Sequence, residues 1–273
     1  MIRIMKYFNL IVLVLLVLSF FLVLAGYVVS ALESVSSTAK VVGKVYAKQQ
    51  GYHALVSVLP HITSALSEED RSFDSLIDPW SFPLEVDTEE GSLRVVIVDE
   101  DRLLNLNKVA ESQKVESALK RLFEMLNIDP SKVESLKELL KRRKLRSLYD
   151  LEVAGFSMEE ISRLENFVTV FSRGKVNVNT APREVLLALD PRMDPTVVER
   201  ILERRTSKPF RRVEDLVLVD GVTFDTLYRI GDLIDVRSGV FRVEASVRVG
   251  DVETTAVLVY NRESGKILFK RID

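Results

Sequence analysis

The sequence predicts an α+β protein with an N-terminal transmembrane helix and stalk, followed by a sheet domain that contains an all-helical insertion. Three observations predict this architecture: an uncharged apolar segment near the start, short capped helices in the middle, and alternating apolar residues at the end. One strand before the helices and an antiparallel meander after them suit a single sheet domain interrupted by an insertion.

The membrane anchor is predicted over residues 8–31, which carry no charge. A helix needs about 20 apolar residues to cross the hydrocarbon core. Arg3 and Lys6 precede the segment, so the positive-inside bias puts residues 1–7 in the cytoplasm and 32–273 across the membrane. A cleaved secretory signal ending at Ala31 is the alternative, but its apolar core should span only about 7–15 residues.

The exported part is mildly acidic, because it holds all 40 Asp and Glu residues but 36 of the 38 Lys and Arg residues. That balance is not typical of a protein that binds polyanions through net charge. The chain has no cysteine, which excludes disulfides and thiolate metal sites.

Residues 32–67 are predicted to continue the membrane helix as an amphipathic stalk. Its apolar stripe must pack on its own domain or on a neighbouring copy. His53 and His61 lie in this stretch and are interpreted as surface residues, since the chain has no third histidine for a ligand set. The stripe consists of Val41, Val45, Ala47, Leu55, Val58, Leu59 and Ile62.

The first part of the sheet domain is predicted over residues 68–107. Residues 68–92 have the composition of a loop, and Leu93–Val98 is predicted to be a strand that ends at the acidic residues 99–101. Asn107 is a good N-cap residue for a helix from about Lys108 to Asn127.

The helical insertion is predicted over residues 108–235 from its helix start signals. Asp129 and Asp194 each place a capping side chain before a proline, and Gly155 and Gly221 are predicted turns of helix hairpins. The segment VNVNTAP, residues 176–182, alternates like a short strand and then opens another helix at Pro182.

The C-terminal meander is predicted over residues 236–273. Its alternating strands are Val240–Val249, Val252–Tyr260 and Lys266–Lys270, joined by a tight turn and then a longer one.

Catalytic motifs are missing from the sequence, so no enzyme activity is predicted. No G-x-S-x-G or Walker-type loop occurs, and both histidines lie on the stalk. The carboxylates of Asp99, Glu100 and Asp101 crowd the end of a strand and would suit calcium. However, no D-x-[DN]-x-[DN]-G loop accompanies them.

Nucleic-acid binding is the other possibility for the helical part. Helix–hairpin–helix modules use hairpin glycines to present backbone N–H groups to a phosphate. The hairpins at Gly155 and Gly221 each lack a second glycine, and Glu159, Glu160 and Asp220 would repel phosphate. The basic runs at 141–146 and 204–212 are interpreted as favourable helix C-terminal charges, so structural packing is preferred to DNA contact.

The order of these features resembles the GspK family, the large minor pseudopilins of type II secretion systems. The resemblance covers most of the chain, and its most specific part is the pair of Asn-x-Asn segments. The matching segments are 47–52, Asp74-Ser75 with Pro79-Trp80, 91–93, 99–107, 176–182 and 238–241.

The resemblance implies a pilin-like α/β domain with a SAM-like or helix-hairpin-helix-like insertion. It also implies a non-catalytic role at the tip of a short periplasmic pseudopilus on the inner membrane. The implied partners are the major and other minor pseudopilins, with neither nucleic acid nor a small-molecule substrate. In this family the membrane helix lacks the early glutamate of the major pseudopilin, and here no acid precedes residue 33. The anchor residues expected to face neighbouring helices are Leu10, Leu13, Leu16, Phe20 and Leu24.

The chain departs from the family pattern in two places. Asn9 stands where prepilin peptidase normally finds a glycine, which leaves cleavage open. The helical insertion is short and lacks the aspartate-rich segment, so calcium, which is known in the family, has only Asp99 and Asp101 as candidate ligands. A membrane-anchored helix-hairpin-helix receptor for DNA uptake and a type IV pilus minor pilin are the alternative functions.

The two Asn-x-Asn segments are interpreted as structural joints. Each lies where an extended stretch passes into a helix, and asparagine can there bond backbone groups that neither element satisfies. The residues of this predicted structural motif are Asn105, Asn107, Asn177, Asn179, Thr180 and Pro182.

Overall fold

A computed structural model describes the backbone of residues 2–69 and 72–273, and the side chains of residues 22–69 and 72–273. One helix, α1, runs from Ile2 to Glu68 and continues through Pro60. The predicted anchor and stalk are therefore one continuous helix. Within the described side chains, the segment from Leu22 to Glu68 is long and apolar enough to cross a membrane.

The sheet has five antiparallel strands: β1 (Leu84–Thr88), β2 (Gly91–Asp99), β7 (Val240–Val249), β8 (Val252–Asn261) and β9 (Lys266–Ile272). Their spatial order is β1-β2-β7-β8-β9, so β1 and β9 are the two edges. Each strand pairs with its neighbour along the chain except at β2–β7, where residues 100–239 intervene. The predicted sheet domain with a helical insertion is thus observed.

The core of the sheet domain lies between α1 and the two middle strands. Leu55, Leu59 and Leu66 of α1 are buried against alternate residues of β7 and β8, such as Phe241 and Leu258. Each of these large side chains contributes roughly 1.5–3 kcal/mol when buried. The predicted stalk stripe is therefore covered by the chain's own sheet only in its C-terminal part.

The prediction of a loop over residues 68–92 is wrong at its end, because β1 lies there and pairs with β2. All five side chains of β1 are exposed. An edge strand of this kind is held by backbone pairing with its neighbour rather than by burial, so its sequence carries little of the usual strand pattern.

The helical insertion consists of two units of similar construction. The first helical unit, residues 104–169, begins at β3 (Leu104–Asn105) and ends at β4 (Val168–Thr169), which pair in parallel. The second helical unit, residues 176–235, begins at β5 (Val176–Asn177) and ends at β6 (Ile234–Asp235), which also pair in parallel. Both units share one large apolar core.

The helices follow the same plan in both units. The first unit contains α2 (Gln113–Met125), α3 (Lys132–Arg142), a 3₁₀ segment (Leu148–Ala154) and α4 (Met158–Leu164). The second contains α5 (Arg183–Leu189), α6 (Pro195–Ser207), a 3₁₀ segment (Val213–Leu218) and α7 (Phe224–Ile230). Each 3₁₀ segment is followed by a glycine with positive φ, 83° at Gly155 and 95° at Gly221, as predicted for the hairpin turns.

Candidate assembly site

The first Asn-x-Asn motif links the start of the first helical unit to its middle and to the segment that follows it. The Asn105 side chain accepts a hydrogen bond from the Asn107 backbone N–H at 2.9 Å and donates to the Ser172 carbonyl. The Asn107 side chain accepts from the Leu145 N–H at 2.7 Å and donates to the Leu145 carbonyl at 3.0 Å. One amide therefore satisfies both backbone groups of a residue 38 positions away.

The second motif repeats this geometry. The Asn177 side chain accepts from the Asn179 N–H at 3.0 Å. The Asn179 side chain accepts from the Phe210 N–H at 2.8 Å and donates to the Phe210 carbonyl at 2.9 Å. In both units the first asparagine shapes the turn, and the second ties it to the segment before the hairpin.

The second motif also contacts the sheet domain, at the point where β2 ends. Asp99 is buried, and its carboxylate accepts hydrogen bonds from the Thr180 hydroxyl at 2.6 Å and the Ser238 hydroxyl at 2.5 Å. Asn177 donates to the Ser238 Oγ at 2.8 Å and to the carbonyl of Asp74 at 3.1 Å. We call this cluster of Asp74, Asp99, Asp101, Asn177, Thr180 and Ser238 the polar junction.

Two arginines complete the polar junction. Arg173 donates to the buried Asp101 carboxylate from its backbone N–H and from Nε, both at 2.7 Å. Arg262, the first residue after β8, donates to Asp74 Oδ2 at 2.8 Å and is itself buried. The carboxylates of Asp99 and Asp101 are each held by a residue of the insertion, Thr180 or Arg173, and by a residue of the segment leading into β7, Ser238 or Gly239. These bonds stabilise the insertion on the sheet domain.

Burial governs the ionisation of the junction. It raises the pKa of Asp99 to about 7, with a further rise from the charge of Asp101 and an opposing effect of the Ser238 and Thr180 hydroxyls. Burial also raises the pKa of Asp74, against the lowering effect of Arg262. A carboxyl group that is protonated near neutral pH can donate a hydrogen bond as well as accept one.

Two of the predicted site residues have a different local role from the one expected. Asn107 does not cap a helix starting near Lys108: α2 begins at Gln113, and Ser112 is its N-cap residue. The Asn107 amide is engaged by Leu145 and by the Val170 carbonyl, contacts that sequence proximity cannot show. Pro182 is the N-cap residue of α5 rather than its first helical residue, and its carbonyl accepts the N–H of Leu186.

The acidic residues at the end of β2 do not form a ligand cluster. Asp99 and Asp101 are bonded to the protein donors described above, and Glu100 accepts a hydrogen bond from the Thr169 hydroxyl. Among the residues that the structure describes, no group of three or more His, Asp or Glu side chains is placed to hold a metal ion.

The N-terminal helix offers a long unpaired surface. Within the described side chains, every residue of α1 from 22 to 46 is exposed, including the anchor residue Leu24 and the predicted stripe residues Val41 and Val45. The side chains of Leu10, Leu13, Leu16 and Phe20 lie outside the described residues. Exposed apolar residues on a helix that can span a membrane are typical of lipid or of helix–helix contact.

The helix hairpins are poorly suited to phosphate. The N-terminus of α4 is occupied by a capping box in which Ser157 and Glu160 bond each other's backbone N–H groups. Thr223 caps α7. Arg205, in the second basic run, donates to the carbonyls of Val178 and Ala181 inside its own unit, and burial lowers its pKa to about 10. These groups stabilise the insertion and leave little for a nucleic acid.

The duplication of the helical unit was missed by the sequence reasoning, although a signal for it was present. A self-comparison of the chain at a spacing of about 65–72 residues would have aligned the two Asn-x-Asn motifs and the two hairpin glycines. Asp74, Arg173 and Arg262 were also missed as site residues. A single charged residue in a sequence carries no sign that it will be buried opposite a partner over 70 positions away.

A long N-terminal helix packed on an antiparallel sheet, with an apolar segment long enough to cross a membrane, gives the described chain a pilin-like fold.

Comparison with known proteins gives the particular relatives. Residues 176–228 match the family model described as type II secretion system (T2SS), protein K. The matched region begins at the second Asn-x-Asn motif and ends in α7. None of the curated proteins compared matches the chain.

The solved structures include a similar fold. One chain of the crystal structure of the GspK-GspI-GspJ complex from the enterotoxigenic Escherichia coli type 2 secretion system superposes with a TM-score of 0.66. The two chains are 18% identical, and the match covers 87% of this chain and 98% of the other. The two comparisons show that this chain is similar in fold to GspK and that part of its helical insertion is similar to the protein K family.

Proposed function

We propose that this chain is a minor pseudopilin that acts in protein secretion by a type II system, as a non-catalytic assembly component. The observation that carries the proposal is the similarity of fold to GspK over 87% of the chain. That extent takes in the sheet domain together with helical insertion, and the match of residues 176–228 to protein K lies within the insertion.

The proposed location is the inner membrane, crossed once, with the N-terminus in the cytoplasm and residues 32–273 in the periplasm. The uncharged segment at 8–31 and the preceding Arg3 and Lys6 support this orientation. The sheet domain would then stand outside the membrane on the stalk part of α1. The helical insertion would lie farthest from the membrane, at the tip of the pseudopilus.

Assembly would use two surfaces of different character. The exposed apolar residues of α1, which precede the part of the helix that packs on the sheet, would pack among the helices of other pseudopilins. The insertion, whose surface is rich in ion pairs such as Lys132–Glu160 and Arg183–Glu199, would remain in water. By analogy with the solved complex, the expected partners are GspI-type and GspJ-type subunits.

The absence of an enzyme activity is part of the proposal. The buried carboxylates of the described chain are bonded to arginines, hydroxyls and backbone N–H groups that hold the insertion on the sheet. Calcium at Asp99 and Asp101 stays a prediction, and binding there would require these hydrogen bonds to be displaced.

The direct test is purification of the full chain in detergent after co-expression with the GspI-type and GspJ-type subunits of the same cell. We expect a stable complex, and we expect deletion of the gene to stop secretion through the type II system while expression of the full chain restores it. Normal secretion in the deletion strain, together with a chain that recruits neither subunit, would refute the proposal.

The competing function, a receptor for DNA uptake, predicts a different result. It requires micromolar affinity for duplex DNA that falls steeply with salt. We expect no such binding, because the hairpin N–H groups are capped and Arg205 is engaged internally.

A further inference from the structure

The C-terminal strand β9 is an open sheet edge with its own pattern of charge. In the described part of the chain β9 pairs only with β8. Its side chains are almost all exposed, including the apolar residues Ile267, Leu268 and Phe269. Natural proteins usually shorten or cover a long apolar edge, because its free backbone groups recruit another strand.

The register of β9 identifies the free backbone groups. Asp273 and Thr255 exchange both backbone hydrogen bonds, at 2.9 and 3.2 Å. Hydrogen-bonded pairs alternate along an antiparallel ladder. The backbone N–H and C=O groups of Arg271 therefore point towards β8, whereas those of Lys270 and Ile272 point away from the sheet.

Both faces of the sheet beside this edge carry apolar depressions. On the face towards the insertion, a cleft of about 230 Å³ lies between Phe269 and Val259 of the sheet and Leu148 and Phe171 of the insertion. On the face towards α1, a groove of about 400 Å³ is lined by residues that include Tyr52 and Ile272. Successive side chains of an added strand point to opposite faces, so both depressions would be filled.

The charge around this edge is positive. Lys266 and Lys270 make no ion pair within the described part of the chain, whereas Arg271 is paired with Asp273 at 2.7 Å. The cleft is lined by charges of both signs, with Arg146, Arg242 and Arg271 against Glu100 and Glu165. By contrast the opposite edge, β1 with its turn, carries Glu85, Asp87, Glu89 and Glu90. The sheet therefore has one basic edge and one acidic edge.

We infer that β9 is the docking site for an acidic edge strand of a neighbouring, different pilin-like subunit, which extends the sheet by strand addition. Subunits anchored in one membrane have parallel N-terminal helices. Because the sheet of this chain packs on its helix, a neighbour with a similar fold can bring one edge of its own sheet alongside β9. A second copy of this chain would join β1 to β9 without limit, which a tip component must not do. The inference rests on the proposed function and names the surface that this function uses.

The test uses the full chain, co-expressed with its GspI-type and GspJ-type subunits and purified in detergent. Lys270→Pro removes an N–H that no strand of the chain uses, and proline is tolerated on a sheet edge. We expect at least tenfold less partner to co-purify. Lys270→Ser keeps the N–H but loses the charge, and should lower recovery only about two- to threefold.

The matched control lies on the opposite edge. In the β1–β2 hairpin, Thr88 faces Gly91 across the two-residue turn, so alternation leaves the N–H of Asp87 pointing outwards. Asp87→Pro should leave partner recovery unchanged. If Asp87→Pro lowers recovery as strongly as Lys270→Pro, or if Lys270→Pro has no effect, the inference is overturned while the proposed function stands. If the unaltered chain recruits neither subunit, both fail.

A second measurement does not depend on tolerance of proline. The chain has no cysteine, so Lys270→Cys gives a single thiol on the open edge. With single cysteines placed along the acidic edge strand of the partner, we expect disulfide-linked heterodimers. Disulfide-linked dimers between Lys270→Cys and Asp87→Cys copies of this chain, with no heterodimer, would show that the occupant is a second copy and contradict the inference.

Discussion

The two helical units have the same order of elements, but their Asn-x-Asn motifs bind different parts of the molecule. In both, an Asn-x-Asn motif follows a two-residue strand, and its second asparagine bonds both backbone groups of a distant residue. In the first unit, Asn105 donates to the nearby Ser172 carbonyl, within the insertion. In the second, Asn177 reaches Asp74 and Ser238 in the segments that border the sheet. The repeated motif thus stabilises the fold of the first unit and attaches the second unit to the sheet.

The largest expected effect separates these roles. Asn177→Ala removes the partner of three buried groups, the Asp74 carbonyl, the Asn179 N–H and the Ser238 Oγ, and should lower the free energy of unfolding by about 3–4 kcal/mol. Asn105→Ala should cost only about 2 kcal/mol. Denaturant unfolding of the full chain in detergent measures both. Equal losses would remove the distinction between the units.

The hairpin glycines give the next largest contrast. Both have positive φ, so alanine at either position costs roughly 1–2 kcal/mol in backbone strain. A Cβ at Gly221 would also lie 2.6 Å from Val197 Cγ2, whereas one at Gly155 has open space around it. We expect Gly221→Ala to cost about 1 kcal/mol more than Gly155→Ala in the same unfolding experiment. The reverse order would mean that α6 yields more easily than the structure indicates.

The second asparagines should behave alike, which tests the similarity rather than the difference. Asn107→Ala removes the partner of the Leu145 N–H and the donor to the carbonyls of Leu145 and Val170, and Asn179→Ala removes the partner of the N–H and C=O of Phe210. Each should cost about 2 kcal/mol. Asn107→Asp and Asn179→Asp keep the acceptor but set a carboxylate oxygen against a carbonyl, so each should cost more than the alanine variant at neutral pH. A gap of more than about 1 kcal/mol between the two alanine variants would show that the motifs are not equivalent.

The smallest expected effect is a dependence on pH at Asp99, where the second unit contacts the sheet. The pKa of Asp99 is raised above its unfolded value of 3.8 to about 7, so the folded state binds the extra proton. Its stabilisation is therefore complete below pH 3.8 and is lost as pH rises through 7. We expect the Tm to fall by about 3 °C between pH 6 and pH 8. Asp99→Asn should flatten that change, and an unaltered slope would assign it to another group.

The comparison also marks what the sequence could predict. Hydropathy and alternation identified α1, the meander and the insertion because those patterns depend on neighbours along the chain. The turn within each Asn-x-Asn motif can be expected from the sequence, because the bond that makes it spans only two residues. The partners of Asn107 and Asn179, by contrast, are 38 and 31 positions away, so no local pattern points to Leu145 or Phe210.

The polar junction was beyond sequence reasoning for a related cause. Asp99 and Asp101 were recognised as a cluster, but exposed and buried carboxylates look identical in a sequence. Their burial depends on Arg173, Ser238 and Gly239, which converge only when the insertion returns to the sheet. The strand β1 was missed because its stability comes from pairing with β2 and not from a buried face.

The insertion leaves and re-enters the sheet at one place. Asp99, the last residue of β2, is the ladder partner of Phe241 near the start of β7, and paired residues of antiparallel strands have Cα atoms only about 4.5–5.5 Å apart. A few residues could bridge that gap in place of the two helical units. The sheet domain and its helix are therefore a self-contained carrier. What stands on it can be lengthened, exchanged or lost over evolution without redesign of the part that reaches the membrane.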